Sequence, residues 1–229
     1  MKNSRQRQPS PQKTQKRRSV WLIRLLAILF ILLASAVAAR SLKATDLKIT
    51  DIIQTLKNPF LTKATAAICW FGNAPQCFLI IFLSGLALFC RRYRWEAVVL
   101  VVSPLLAIGL DMLIKIIVRY PGPMVPQGTA VIPLNYYTFP SGQVLLYMTF
   151  FGFLNHLIAA QMKGSWKRTG FLLLLGFLIL SDGFCKIYLL KHWPSDVIGG
   201  YILGGLLLLI AIQVYKDGIN RNIKLSRRK

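Results

Sequence analysis

The sequence predicts an all-α integral membrane bundle of about six transmembrane helices, and three observations predict it. Apolar residues make up 55% of the 229-residue chain and charged residues only 16%, against about 45–50% and about 25% in ordinary globular domains. Apolar runs recur from Val20 to Val214, each long enough for a hydrocarbon core of about 30 Å, which takes about 20 residues of helix. The basic residues fall between those runs, on alternate connections. Of the 29 lysines and arginines, seven precede Val20, three are Arg91, Arg92 and Arg94, three are Lys163, Lys167 and Arg168, and six follow Tyr215. The positive-inside rule asks for this bias on cytoplasmic segments. The net charge of +22 therefore reads as membrane topology, and nucleic acid is not an expected partner.

Taken in order, residues 1–18 are basic and rich in Gln, Ser and Pro, a composition that builds no core and predicts a disordered cytoplasmic tail. Residues 19–65 hold the first span and an amphipathic segment. The span covers Val20–Ala39, with Arg24 near its inner end where the side chain can snorkel to the headgroups. Ala36-Val37-Ala38 resembles a signal-peptide cleavage site, but a retained anchor is the preferred reading. From Ser41 to Thr65, Ile49, Ile52, Ile53, Leu56 and Phe60 recur among Lys and Asp, the spacing of a helix lying in the outer interface.

Residues 66–215 read as the main helical domain. A second span covers about Ala66–Phe89 with a bend at Asn73 and Pro75, and a third covers Trp95–Val118. Prolines and glycines crowd Arg119–Phe139, which is an outer loop. The fourth span starts at Pro140 and ends near Met162, the fifth covers Thr169–Leu189, the sixth Trp193–Tyr215, and residues 216–229 form a second basic tail. Cys69, Cys77, Cys90 and Cys185 make no CxxC pair, and no His, Cys and carboxylate set has zinc-ligand spacing. No metal or cofactor is expected.

Ionisable groups inside a membrane are costly and by default functional candidates. Asp111, Lys115, Asp182, Lys186 and His156 are the deep or near-interfacial ones. Lys115 ends the third span, Lys186 ends the fifth, His192 and Asp196 open the sixth, and Pro140-Ser141-Gly142-Gln143 opens the fourth. Under the charge-derived topology these four segments converge on the non-cytoplasmic face. His156, thirteen residues beyond Gln143, is about 20 Å away along a helix and reads as a packing residue.

The run Lys186-Ile-Tyr-Leu-Leu-Lys-His192-Trp-Pro-Ser-Asp196-Val, followed by Gly199, Gly200 and Gly204, resembles the third motif of the type 2 phosphatidic acid phosphatase family. That motif has Ser-Arg, then His after five residues, then Asp after three more. Spacing is kept, with Cys185 for the Ser and Lys186 for the Arg. Pro140-Ser141-Gly142-Gln143 resembles the second motif, Pro-Ser-Gly-His, with Gln143 for the His. Lys115, six residues, then Gly122-Pro123 resembles the first, with Gly122 for an Arg. The resemblance covers about residues 66–215 and implies the family's six-helix plan.

It also implies chemistry. The family's third-motif His attacks phosphorus to give a phosphohistidine and the Asp orients it, which assigns His192 and Asp196 as catalytic. Lys115, Ser141, Lys186 and the backbone amides of Gly142 and Gln143 are the donors for phosphoryl oxygens, and Arg119, one turn after Lys115, is the candidate for the missing arginine. Gln143 has no titratable proton near neutral pH, so the acid step of the family is lost. Such a step is worth about 10² to 10⁴ in rate. A lipid diphosphate, polyprenyl diphosphate being the model, then suits the site better than a simple phosphomonoester. The alternative is a catalytically silent member that binds anionic lipid headgroups or a partner protein; vanadate-dependent peroxidase chemistry is a weaker third. Oligomeric state is not readable from the sequence.

Overall fold

The structure, a computed structural model, describes residues 11–71, 74–124, 133 and 136–226. These form eight helices: α1 (Pro11–Ala38), α2 (Lys43–Gln54), α3 (Pro59–Phe71), α4 (Ala74–Cys90), α5 (Arg94–Val118), α6 (Gly142–Gln161), α7 (Trp166–Tyr188) and α8 (Pro194–Ser226). Among the described residues, α1, α5, α6, α7 and α8 are each long and apolar enough to span a bilayer, and α3 with α4 makes a sixth, bent candidate. The protein is an integral membrane protein. An all-helical bundle suits that setting, because a helix satisfies its own backbone where no water can.

The centre of the bundle is α6, which packs against α5, α7 and α8, while α1 covers α8 and α4 covers α5. Its Tyr147, Phe150 and Phe153 are fully buried. Leu106, Ile117, Leu173 and Leu180 point outward and are exposed, as lipid-facing side chains should be. Close approach of α8 to α6 depends on Gly200, where an added Cβ would lie 2.8 Å from the Ser141 carbonyl oxygen.

Three boundaries differ from the sequence reading. α1 begins at Pro11, inside the segment expected to be a disordered tail, and α8 runs through Ser226, past the expected end of the last span. Lys, Arg and Gln are good helix formers, and extending an existing helix is far easier than nucleating one. Residues 1–10 and 227–229 lie outside the described residues. The bent span starts at Pro59, seven residues before the apolar count begins, and its halves are inclined by 50°. The expected amphipathic helix divides into α2 and the start of α3.

The orientation of α2 is also informative. Asp46 and Thr50 face inward and are buried, while Leu47, Ile49 and Ile52 are exposed. A membrane-interface helix can turn its polar side to the protein when the end of the bundle it covers is itself polar.

Candidate active site

His192 is set by the turn that ends α7. Leu190 takes the left-handed conformation, φ 55°, and the Lys191 amide returns to the Lys186 carbonyl at 2.9 Å. This six-to-one bond is a Schellman closure, and it places His192 directly beyond Lys186. Pro194 then starts α8, where a proline costs no helix bond. Asp196 sits in the first turn of α8, and its Oδ2 accepts the Trp193 amide at 2.9 Å, which is the reciprocal half of a capping box.

The same Asp196 oxygen stands 3.4 Å from His192 Nδ1. Nδ1 also lies 3.1 Å from the Thr138 carbonyl. A carbonyl only accepts, so this contact puts the proton on Nδ1 and leaves Nε2 with its lone pair. Burial holds the imidazole pKa below its ordinary value, with Asp196 pulling it back up and Lys186 and Lys115 pushing it down.

Around the pair, the cations and the start of α6 come together. Lys115 Nζ bonds Asp111 Oδ2 at 2.7 Å on its own helix. Asp111 in turn lies against the first residue of α6: a Cβ on Gly142 would meet its Oδ2 at 2.5 Å. Ser141 is the N-cap of α6, but its hydroxyl makes no capping bond and is buried without a partner. Its backbone amide is tied to the Asp196 carbonyl at 2.9 Å. Lys186 Nζ donates to Gln143 Oε1. His192, Asp196, Lys115, Lys186, Ser141 and the first turn of α6 are thus gathered at one end of the bundle, as the sequence reading expected.

Residues 96–219 match the PAP2 superfamily. The chain belongs to that superfamily. It is 22% identical over 198 residues to phosphatidylglycerophosphatase B of Bacillus subtilis (strain 168), covering 86% of this chain and 95% of that one. Its fold is similar to the crystal structure of a transmembrane PAP2-type phosphatidylglycerolphosphate phosphatase from Bacillus subtilis, with TM-score 0.73 and 20% identity over 89% of this chain and 98% of the other. It is also similar to Aquifex aeolicus LpxE, with TM-score 0.52 and 21% identity over 73% and 94%.

Within this PAP2 fold two sequence-based roles look different. The Arg119 side chain is exposed, and its Nε donates to the Ile116 carbonyl at 3.0 Å, so it is folded onto the last turn of α5. Gln143 Nε2 donates to Asp182 Oδ1 at 2.7 Å and makes a longer contact, 3.4 Å, with the Cys69 carbonyl. Its amide hydrogens are thereby committed inside the bundle.

Three contributors went unrecognised in the sequence. Asp46 of α2 is buried and accepts the Ser195 amide at 2.9 Å, the Ser195 hydroxyl at 2.7 Å and the Tyr120 hydroxyl at 3.2 Å. The Trp193 indole donates to the Pro121 carbonyl at 2.9 Å. Thr138 meets His192 through its carbonyl, while its amide and hydroxyl donate to the Tyr120 carbonyl at 2.9 Å and 3.5 Å. These contacts link α2 and the segments on either side of the long loop to the start of α8. His156 lies at the opposite end, its ring 6.4 Å from Phe153 and 6.0 Å from Tyr215, a packing residue.

Proposed function

We propose that this protein is a membrane lipid-phosphate phosphatase that transfers a phosphoryl group to His192 and then to water, with lipid diphosphates as preferred substrates. The observation that carries this reading is the His192 ring, held at Nδ1 by an acceptor pair so that Nε2 is the free nucleophile. Nε2 attacks the terminal phosphorus, the phosphorus–oxygen bond to the lipid breaks, and the lipid leaves with the bonding electrons. Water then attacks the phosphohistidine, releasing inorganic phosphate and restoring the imidazole. Lys115, Lys186, the Ser141 hydroxyl and the amides that open α6 face the phosphoryl oxygens as charge develops.

The diphosphate preference follows from the leaving group. With Gln143 in place of an acid and its amide hydrogens spent on Asp182 and Cys69, an alkoxide would depart unprotonated. A lipid monophosphate departs easily, since the second pKa of a phosphate ester is about 6. The names of the Bacillus subtilis relatives, those of phosphatases acting on phosphatidylglycerolphosphate, support a lipid substrate. The basic segments on the termini support cytoplasmic tails and a site at the outer face of the membrane.

Purified protein in detergent is given a polyprenyl diphosphate and an alkyl phosphomonoester, with and without His192→Ala. The expected result is phosphate release from the diphosphate at a rate about 10² or more above the monoester, abolished in the variant. Release that survives His192→Ala contradicts the mechanism; a preference for the monoester contradicts the substrate; lipid phosphate binding without turnover supports the silent, lipid-binding alternative.

A further inference from the structure

The site's second cation, Lys186, is 5% exposed and lies on α7 four residues after Asp182, which is fully buried. A lysine is a point charge on a flexible stem and, unlike arginine, offers no rigid fork to fix its own position. Between the two charged groups lies a side chain from another helix. Gln143 of α6 accepts from the Lys186 ammonium through Oε1 and donates to Asp182 Oδ1 through Nε2 at 2.7 Å. An ammonium only donates and a carboxylate only accepts, so the carboxamide can sit in one sense only.

Three positions where the phosphatase motifs are altered, Gln143, Cys185 and Lys186, belong to this one cluster. Cys185 is buried as the chain neighbour of Lys186, Cys69 is buried too, and the Cys69 carbonyl meets the second amide hydrogen of Gln143 at 3.4 Å. Altered positions that touch one another around a charged pair form a working unit with its own logic.

We propose that Asp182 is a positioning residue of the phosphate site: acting through the Gln143 carboxamide, it fixes where the Lys186 ammonium stands and supplies the buried countercharge that Lys186 needs. The proposal rests on the reading of the site as a phosphate site. In the mechanism Lys186 touches the phosphoryl oxygens, Gln143 holds Lys186, and Asp182 holds Gln143. Asp182 itself does not contact substrate.

The test measures binding as well as turnover. Inhibition by inorganic phosphate, KM and kcat are determined for the full-length protein, Asp182→Asn, Asp182→Glu, Lys186→Ala and the Asp182→Asn/Lys186→Ala pair, with calorimetric phosphate binding on the same samples. Asp182→Asn should weaken phosphate binding and raise KM by about tenfold, the scale of one hydrogen bond to a charged group, with a smaller change in kcat. Asp182→Glu, which keeps the charge, should recover most of the loss. In the Lys186→Ala background Asp182→Asn should cost nothing further, because the group it positions is gone.

A full, additive loss in that background, or a fall in kcat with unchanged phosphate affinity, overturns the proposal and leaves Asp182 a packing residue. If Asp182→Asn does not fold, the Asp182→Glu result decides: phosphate affinity falling as far as in Lys186→Ala also overturns it. Turnover by the unaltered protein that ignores His192, beside phosphate binding that still follows Asp182, would count against the catalytic reading and leave this proposal standing.

Discussion

The His192 ring is the group whose protonation governs the proposed chemistry. Its neutral form attacks, and burial disfavours the cation, so its pKa lies below the ordinary imidazole value of 6.5. As pH falls, the nucleophile is lost only on passing through that lowered value. The acid limb of kcat/KM on a lipid diphosphate is therefore expected below 6.5. Asp196 favours the cation, whereas Lys186 and Lys115 oppose it. Asp196→Asn should move the limb lower still while reducing the rate. A limb above the ordinary imidazole value would mean that the Asp196 carboxylate outweighs burial at the ring. Gln143 gives a second residue-scale prediction. Gln143→Ala removes bonds to two buried charged groups, each worth about 1.5–3 kcal/mol, so its thermal unfolding midpoint in detergent should fall clearly below that of the parent protein. An unchanged midpoint would mean that the relay carries no stability. Legibility at this scale followed sequence distance. Asp111–Lys115 is a pair four apart within one helix, which helix geometry alone brings together, and His192–Asp196 closes locally across the start of α8. The Asp182–Gln143 bond joins positions 39 apart on different helices. No local pattern announces such a contact, and the Gln143 side chain was accordingly read only as standing where the family has its acid His.

Among the elements, α2 does work that its amphipathic pattern did not disclose. Read by hydrophobic spacing, it is a helix in the interface. In the structure it is also a clamp: Asp46 accepts three hydrogen bonds from the start of α8 and from Tyr120. Burial raises the Asp46 pKa, and the Ser195 and Tyr120 donors pull it down. Removing the carboxylate leaves buried donors unpaired, at about 1–3 kcal/mol each. Asp46→Ala should loosen α2, seen as faster limited trypsin cleavage after the exposed Lys43 or Lys48, together with reduced phosphatase activity. Cleavage as slow as in the parent protein would show that apolar contacts alone hold α2. The helical spans themselves were legible because bilayer thickness and hydropathy fix them. Their ends were not, because basic and glutamine-rich flanks continue a helix as readily as they end one.

At the scale of the whole molecule, topology was read from charge alone. The fold agrees with one part of it: Lys16 on α1 and Asp217 on α8 lie 3.2 Å apart, so both terminal helices meet at the end opposite His192. Single cysteines at positions 130 and 165, labelled with an impermeant maleimide in intact cells, are expected to report opposite sides of the membrane. Labelling of both from one side would refute the six-span arrangement. The family resemblance was legible over the third motif because spacing survives there intact, although the donors that surround it have been exchanged. Which donors replace them depended on packing between α3, α6 and α7, and sequence spacing carries no record of that packing.

The account stands on phosphoryl transfer through His192, and the most direct measurement is to trap that adduct. The protein is mixed with a lipid diphosphate, quenched in alkali within a turnover and digested, and the peptide carrying His192 is examined by mass spectrometry. The account predicts a phosphoryl group on His192 that is stable in alkali, lost in acid and absent from His192→Ala. Steady release of phosphate with no adduct on that peptide, or with the adduct on another residue, would contradict it.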